Sequence, residues 1–195
     1  METQKSKEIN RKDFLKKACL AGTCFCGFIP VASQGMNRHD AVDEEPENKN
    51  LTLMQGWISN LLLSLDKNST EEDCRKIVKP NAMAHYDFLN MDKVLAPYKG
   101  DLARFNTFIS NEWGWKIDYN PETGILTANE NKPYCVCPLV NQEEGINYPS
   151  LCYCSEGFAE KMFSEVVGHP VKARVLASVQ RGDKHCIYEI ATRDQ

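Results

Sequence analysis

The sequence predicts an α+β fold with N-terminal helices, two β-hairpins that form an antiparallel sheet, and one helix between the hairpins. Apolar residues recur at helical spacing in the first half of the chain. After Gly114 the pattern changes to alternation, and turn-forming residues interrupt the alternating segments at 120–124 and 180–184. Helices that precede and separate antiparallel hairpins are typical of α+β domains.

The helical half begins near Leu51, where Leu53, Trp57, Leu61 and Leu65 follow helical spacing. Ser69 or Thr70 is the expected N-cap of the next helix, because acidic residues occupy the following turn. Helices are predicted at 51–66, from the Ser69 or Thr70 cap to the break at Lys79-Pro80, at 81–90, and at 100–114.

Alternation at 115–119 and 125–128 predicts the first hairpin, and alternation at 171–179 and 186–191 predicts the second. We expect Ser155 to cap the helix between them and Gly168 to end it.

The N-terminus has the pattern of an export signal. Basic residues precede an apolar stretch at 18–32, and small residues favour cleavage after Ser33. Residues 10–16 (NRKDFLK) resemble the twin-arginine signal, with Lys12 in place of the second arginine. We expect residues 1–33 to be removed and the mature protein to be exported, to the periplasm if the source is a bacterium; a lipoprotein anchored at Cys24 is a minor alternative.

The rest of the chain is predicted to comprise a disordered acidic linker at 34–50 and one domain at 51–195. Residues 35–195 contain 17 Lys and Arg against 24 Asp and Glu. This acidic balance argues against nucleic acid as the main partner, since phosphate binding depends on basic residues. No apolar run reaches the length of about 18 residues needed for a membrane span. A metal ion or small molecule is the expected partner.

The most informative motifs are two C-x-C pairs, Cys135/Cys137 and Cys152/Cys154. In an extended segment, residues i and i+2 point to the same side, so each pair can present both sulfurs together. The intervening loop, 138–151, contains Gly145 and Pro149, which would let the pairs converge. Four such thiolates suit tetrahedral Zn²⁺ or an iron–sulfur cluster.

Two other roles for the cysteines stay open. The first is a hydrolase of a small sulfur- or nitrogen-containing compound, with Cys154 as nucleophile or a bound metal as Lewis acid. Cys154 precedes the expected helix cap, and a helix N-terminus would favour its thiolate. Alternatively, the pairs form disulfides with each other or with Cys74 and Cys186, giving a purely structural domain. Cys186 is either a core residue or a fifth inward-facing thiol.

Three segments carry a resemblance to a known family: CVCPLV at 135–140, LCYCSEGF at 151–158, and SVQRGDKHC at 178–186. Together they resemble an uncharacterised family of small bacterial proteins. The C-terminal half, a helix followed by a hairpin bearing G-D-x-x-C, is similar to 4-vinyl reductase-type and L-2-amino-thiazoline-4-carboxylate hydrolase-like domains. The resemblance implies a ligand-binding α+β domain with a possible metal, and it assigns no activity.

Overall fold

A computed structural model describes residues 46–140 and 145–193, all of which belong to one compact unit. The predicted export signal at 1–33 and residues 34–45 of the predicted linker lie outside the described residues. The helices are α1 (Pro46–Asn68), α2 (Glu71–Val78), α3 (Ala82–Phe88), α4 (Met91–Leu95), α5 (Leu102–Glu112) and α6 (Cys152–Val167), and the strands are β1 (Lys116–Asn120), β2 (Ile125–Asn129), β3 (Lys172–Ala177) and β4 (Ile187–Ala191).

The first helix is longer than predicted. It begins at Pro46, so the prediction that regular structure starts at Leu51 is wrong by five residues. Proline is tolerated in the first turn of a helix because the N–H it lacks would have no helical partner there.

The remaining N-terminal helices follow the sequence prediction closely. Thr70 caps α2 by accepting a hydrogen bond from the amide of Asp73, and Lys79-Pro80 ends the helix in a 3₁₀ turn. Asp101 caps α5 in the same way through the amide of Arg104. The short helix α4 was not predicted; it follows Asn90, which adopts a left-handed conformation and starts a new turn.

The four strands form one antiparallel sheet in the order β1-β2-β4-β3. This confirms the predicted α+β class, with two hairpins and a helix between them. The central pair places Ala128 opposite Tyr188, and beyond it the amide of Glu130 donates to the carbonyl of Cys186 over 3.0 Å. The end of β2 and the start of β4 therefore meet at one edge of the sheet.

Helix α6 lies at the centre of the fold. It contacts β3 and β4 on one side and α3, with the preceding 3₁₀ turn, on the other. Met162, Phe163 and Val166 are completely buried along it. Gly168 ends the helix at a φ of +83°, as predicted.

The start of α6 differs from the prediction. The helix begins at Cys152 rather than after Ser155, because a 3₁₀ turn at Pro149–Leu151 leads directly into it. No side chain caps it at Leu151.

None of the helices in the described ranges is both long and apolar enough to cross a lipid bilayer.

Candidate ligand-binding cavity

The first cysteine pair has the predicted arrangement. Cys135 and Cys137 are each 8% exposed, whereas Val136 between them is 49% exposed and Tyr134 is 56% exposed. This alternation is that of an extended segment laid over the core. Both side chains of the pair therefore lie on the same side, as the sequence predicts, and that side faces the core.

The second pair is arranged differently from the prediction. Cys152 and Cys154 lie in the first turn of α6, so their side chains diverge by about 200° around the helix axis instead of sharing one face. The buried apolar residues form two clusters. Cys152 packs with Cys186 in the first cluster, which lies against the sheet. Cys154 packs in the second core cluster with Cys135 and Cys137. The extended geometry expected for this pair is wrong because the helix starts four residues earlier than predicted.

The cysteines are nevertheless close enough to influence one another. Burial raises the pKa of Cys137 to about 12, and Cys135, Cys154 and Cys152 act in the same direction. Burial likewise raises the pKa of Cys152 to about 12, although the Ser178 hydroxyl, 2.9 Å from its sulfur, opposes the shift.

The thiol predicted to be activated is not favoured as a thiolate. Burial raises the pKa of Cys154, whereas a nucleophilic role at the helix N-terminus called for a lower one. The cause is the desolvation of a side chain that is only 3% exposed.

Cys74 and Cys186 are the two remaining cysteines of the domain. Cys74 is buried near the first pair, and its sulfur lies 3.6 Å from the carbonyl of Leu65. Cys186 is 7% exposed, faces inward from the start of β4, and has its pKa raised by burial to about 11. Within the described ranges, no three His, Cys, Asp or Glu side chains are arranged around a common point as ligands to a metal ion.

Beside these cysteines lies a cavity of about 320 Å³. Cys135, Cys137 and Cys186 contribute to its wall, whereas Cys152 and Cys154 are not among its described lining residues. Most of the wall is apolar or aromatic, from Phe88, Leu89, Met91, Trp113, Trp115, Val136, Pro138, Phe158 and Ala159.

The aromatic part of this wall is continuous. The rings of Trp113 and Trp115 meet edge to face at a centroid distance of 5.6 Å. Trp115 in turn stacks on Tyr188 at 6.1 Å. His85 and Phe158 also line the cavity, and their rings pack at a centroid distance of 4.9 Å. Burial lowers the pKa of His85, so its imidazole is favoured in the neutral form.

The polar end of the cavity is built around Tyr188. Its hydroxyl donates to the carboxylate of Glu130 over 2.8 Å. Ser155 and Cys186, which also line the cavity, have side-chain hydrogen bonds to the same tyrosine. Glu130 is only 7% exposed, and burial raises its pKa, an effect that Tyr188 and Lys132 oppose.

Sequence reasoning missed Glu130, Trp113, Trp115 and Tyr188 as site residues. A partial signal existed for Tyr188, because strand alternation places it on the same face as Cys186, and both residues are buried. Glu130 lies one residue beyond β2, and its position opposite Cys186 depends on a strand pairing far apart in sequence.

The fold and its cavity define a small α+β domain with a ligand-sized, aromatic-walled pocket. Residues 31–195 match a family model described as "Family of unknown function (DUF6144)", and the chain belongs to this family. The membership agrees with the predicted relationship to an uncharacterised family. A comparison with curated proteins finds no match.

Two solved structures are similar at low sequence identity. One is trafficking protein particle complex subunit 3 from Naegleria fowleri, covalently bound to palmitic acid; it is 11% identical, has a TM-score of 0.47, and the match covers 75% of this chain and 97% of that chain. The other is the phenol-responsive sensory domain of the transcription activator PoxR with phenol; it is 14% identical, has a TM-score of 0.41, and the match covers 70% of this chain and 73% of that chain.

Proposed function

We propose that this protein is a binding module that holds a small organic molecule in the cavity beside Cys135, Cys137 and Cys186. The observation that carries the proposal is the cavity of about 320 Å³, whose aromatic wall runs from Trp113 through Trp115 to Tyr188, the residue that also forms the hydrogen-bonded polar end. Pockets of about 300–1,000 Å³ that combine apolar walls with a few convergent polar groups are typical ligand sites. The resemblance to 4-vinyl reductase-type domains implies a ligand-binding domain as well.

Binding suits the chemistry of the cavity better than covalent catalysis by a thiol. A nucleophilic cysteine needs a thiolate and a nearby base. Burial raises the pKa of Cys137 and Cys186, which keeps these side chains protonated near neutral pH. The predicted nucleophile, Cys154, is outside the described cavity wall.

The proposal is tested with N-phenyl-naphthylamine, a neutral apolar dye that fluoresces on leaving water. We expect the wild-type protein to bind the dye saturably at one site and the variant Ala159→Phe to bind it poorly, because the new ring fills the cavity. The matched control is Ala103→Phe on α5, whose small side chain is exposed and outside the cavity. Equal binding by wild type and Ala159→Phe, with both folded, would refute the proposal.

A second candidate function is the binding of Zn²⁺ or an iron–sulfur cluster by Cys135, Cys137, Cys152 and Cys154. The observation in its favour is that Cys135, Cys152 and Cys154 all lie near enough to Cys137 to raise its pKa. The divergence of Cys152 and Cys154 on α6 counts against it, because a four-thiolate site would require these side chains to reorient.

Elemental analysis of natively expressed protein tests this second candidate. A stoichiometric metal that is lost in Cys137→Ser and retained in Cys74→Ser would support it. Metal-free protein whose mass rises by two hydrogens per bridge on reduction would instead support the disulfide alternative.

We also propose that the mature protein begins near Gln34 and works outside the cytoplasm, in the periplasm of a bacterium. The support is the order of basic, apolar and small residues in 1–33. N-terminal sequencing of the natively expressed protein tests this, and an intact Met1 in the cytosolic fraction would contradict it.

A further inference from the structure

At the polar end of the cavity, the carboxylate of Glu130 can accept more hydrogen bonds than it does. A carboxylate has about four lone-pair sites for hydrogen bonds. Among the described residues, the only side chain seen donating to Glu130 is Tyr188, at 2.8 Å. Because Glu130 also lines the cavity, a ligand that donates hydrogen bonds can reach the rest of its carboxylate.

The surroundings of this carboxylate favour a donor that carries positive charge. Tyr188, which donates to this carboxylate, stacks on Trp115, and Trp113 packs on Trp115. The faces of aromatic rings attract cations, and the attraction is strongest where the cation has left water. Burying a carboxylate that is not paired with a cation is also costly. A cation that pairs with Glu130 is therefore stabilised both by the carboxylate and by the aromatic rings.

Among the titratable groups that line the cavity, Glu130 is the one suited to pair with a cationic ligand. The pKa of His85 is lowered by burial, and the pKa values of Cys137, Cys186 and Tyr188 are raised by burial, so these four side chains are neutral near neutral pH. Cys135 also lines the wall. Lys132 is the one basic side chain among the described lining residues, and it is partly exposed.

We infer that the ligand is a small organic amine, bound as its ammonium ion, with an apolar or aromatic body. The ammonium group donates to Glu130 and rests against Trp115 and Tyr188, while the body fills the space toward Phe88 and Phe158. This inference rests on the proposed binding function and specifies its ligand class. The ammonium group of Lys132 competes with that of the ligand for Glu130, so Lys132 weakens the binding of an amine. An anionic ligand would instead depend on Lys132 for its binding.

Three probes of nearly equal shape separate the possibilities: phenethylamine as the cation, phenethyl alcohol as the neutral molecule, and phenylacetate as the anion. Binding is measured near neutral pH by titration calorimetry and by the fluorescence of Trp113 and Trp115. We expect phenethylamine to bind at least about tenfold more tightly than either analogue, since a buried charge pair is worth that much or more.

The variants identify the groups responsible. Glu130→Gln keeps the size of the side chain and the oxygen that accepts from Tyr188, so the variant should fold and should bind phenethylamine at least about tenfold more weakly, with phenethyl alcohol unaffected. Lys132→Met should bind phenethylamine as well as wild type or better. Glu112→Gln, which removes the same charge from an exposed position outside the cavity, is the matched control and should change nothing.

The outcomes also distinguish failure of this inference from failure of the proposed function. Equal or tighter binding of phenethyl alcohol or phenylacetate, or unchanged amine binding in Glu130→Gln, would overturn the amine assignment and leave the cavity a binding site. No binding of the three probes, together with no cavity-dependent binding of the neutral dye, would overturn both. Circular dichroism and thermal melting of each variant without ligand establish that it is folded.

Discussion

At the scale of single residues, burial sets the protonation of the cysteines. Burial raises the pKa of Cys152 from its ordinary value of 9.0 to about 12, and that of Cys186 to about 11. The folded protein therefore holds these thiol protons more tightly than the unfolded chain does. Their contribution to stability is fully present below pH 9 and is lost as pH rises through the folded pKa values.

We predict that the free energy of unfolding of the metal-free protein falls between pH 9 and pH 12, by up to about 1.4 kcal/mol per pH unit for each such thiol. Urea denaturation at several pH values measures this slope. Tyrosines and lysines also titrate there, so the informative quantity is the difference from Cys152→Ala, whose slope should be shallower. A protein held by metal thiolates would behave oppositely and lose stability on acidification, since protons compete with the metal.

Glu156 is a second residue whose environment decides its role. Its carboxylate is 1% exposed, and it accepts from Arg75 over 3.0 Å and from the amide of Val175 over 3.2 Å. Lys79 lies 3.2 Å from the same carboxylate. The side chain thus joins α2, the 3₁₀ turn after it and β3 to the central helix.

We predict that Glu156→Ala lowers the free energy of unfolding by about 3 kcal/mol or more, because the substitution leaves buried donors and cationic groups without their acceptor. Urea denaturation near neutral pH checks it. The matched control is Glu72→Ala, which removes an ion pair with Lys76 in which both side chains are largely exposed and should have little effect. A similar small change in both variants would contradict the role assigned to Glu156.

At the scale of elements, α6 approaches its neighbours closely at Gly157. A Cβ atom there would lie 2.5 Å from the carbonyl oxygen of Lys79 and 2.9 Å from the Cβ of Ala82. Glycine is therefore required by the packing of α6 against the start of α3, although it is an unfavourable residue in a helix interior.

We predict that Gly157→Ala destabilises the protein by about 1–3 kcal/mol, since the backbone of the 3₁₀ turn must move to admit the methyl group. Gly56→Ala on α1 is the matched control, because nothing lies within 4 Å of the added Cβ. It should be neutral or stabilising by about 0.5–1 kcal/mol through helix propensity. Thermal melting of both variants compares them, and equal effects would show that α6 can shift at no cost.

At the scale of the whole molecule, α1 is tied to the rest of the domain from Gln55 to Asp66. Leu62 is 4% exposed, and Asp66 accepts from the amide of Ser150 over 2.9 Å. Gln55 also donates to the carbonyl of Pro138 over 2.9 Å. These bonds reach both described ends of the loop that connects the two cysteine pairs.

We predict that a chain starting at Pro46 melts within a few degrees of the full-length protein, whereas a chain starting at Ser69 loses cooperative unfolding. The first change removes only residues before α1, and the second exposes the apolar surface that Leu62 covers and leaves the amide of Ser150 without its acceptor. Calorimetry of the three chains tests this. A large loss of stability in the chain starting at Pro46 would mean that earlier residues pack on the domain.

The sequence alone determined the elements whose signals are local. Thr70 and Gly168 specify helix ends through hydrogen bonds or backbone conformations within a few residues, and the structure confirms both. The spacing of Cys135 and Cys137 likewise predicted that both side chains share one side of an extended segment, because a two-residue period needs no distant partner.

Only the tertiary structure decided the site. The start of α6 depends on a 3₁₀ turn held from outside, by Asp66 on the amide of Ser150 and by Gln180 on the amide of Tyr148. That early start separates Cys152 from Cys154 around the helix. The cavity also depends on the pairing of β2 with β4, which brings Glu130 to Cys186 across 56 positions of sequence. Contacts between residues so far apart leave no periodic signal in the chain, since they are set by how whole elements pack.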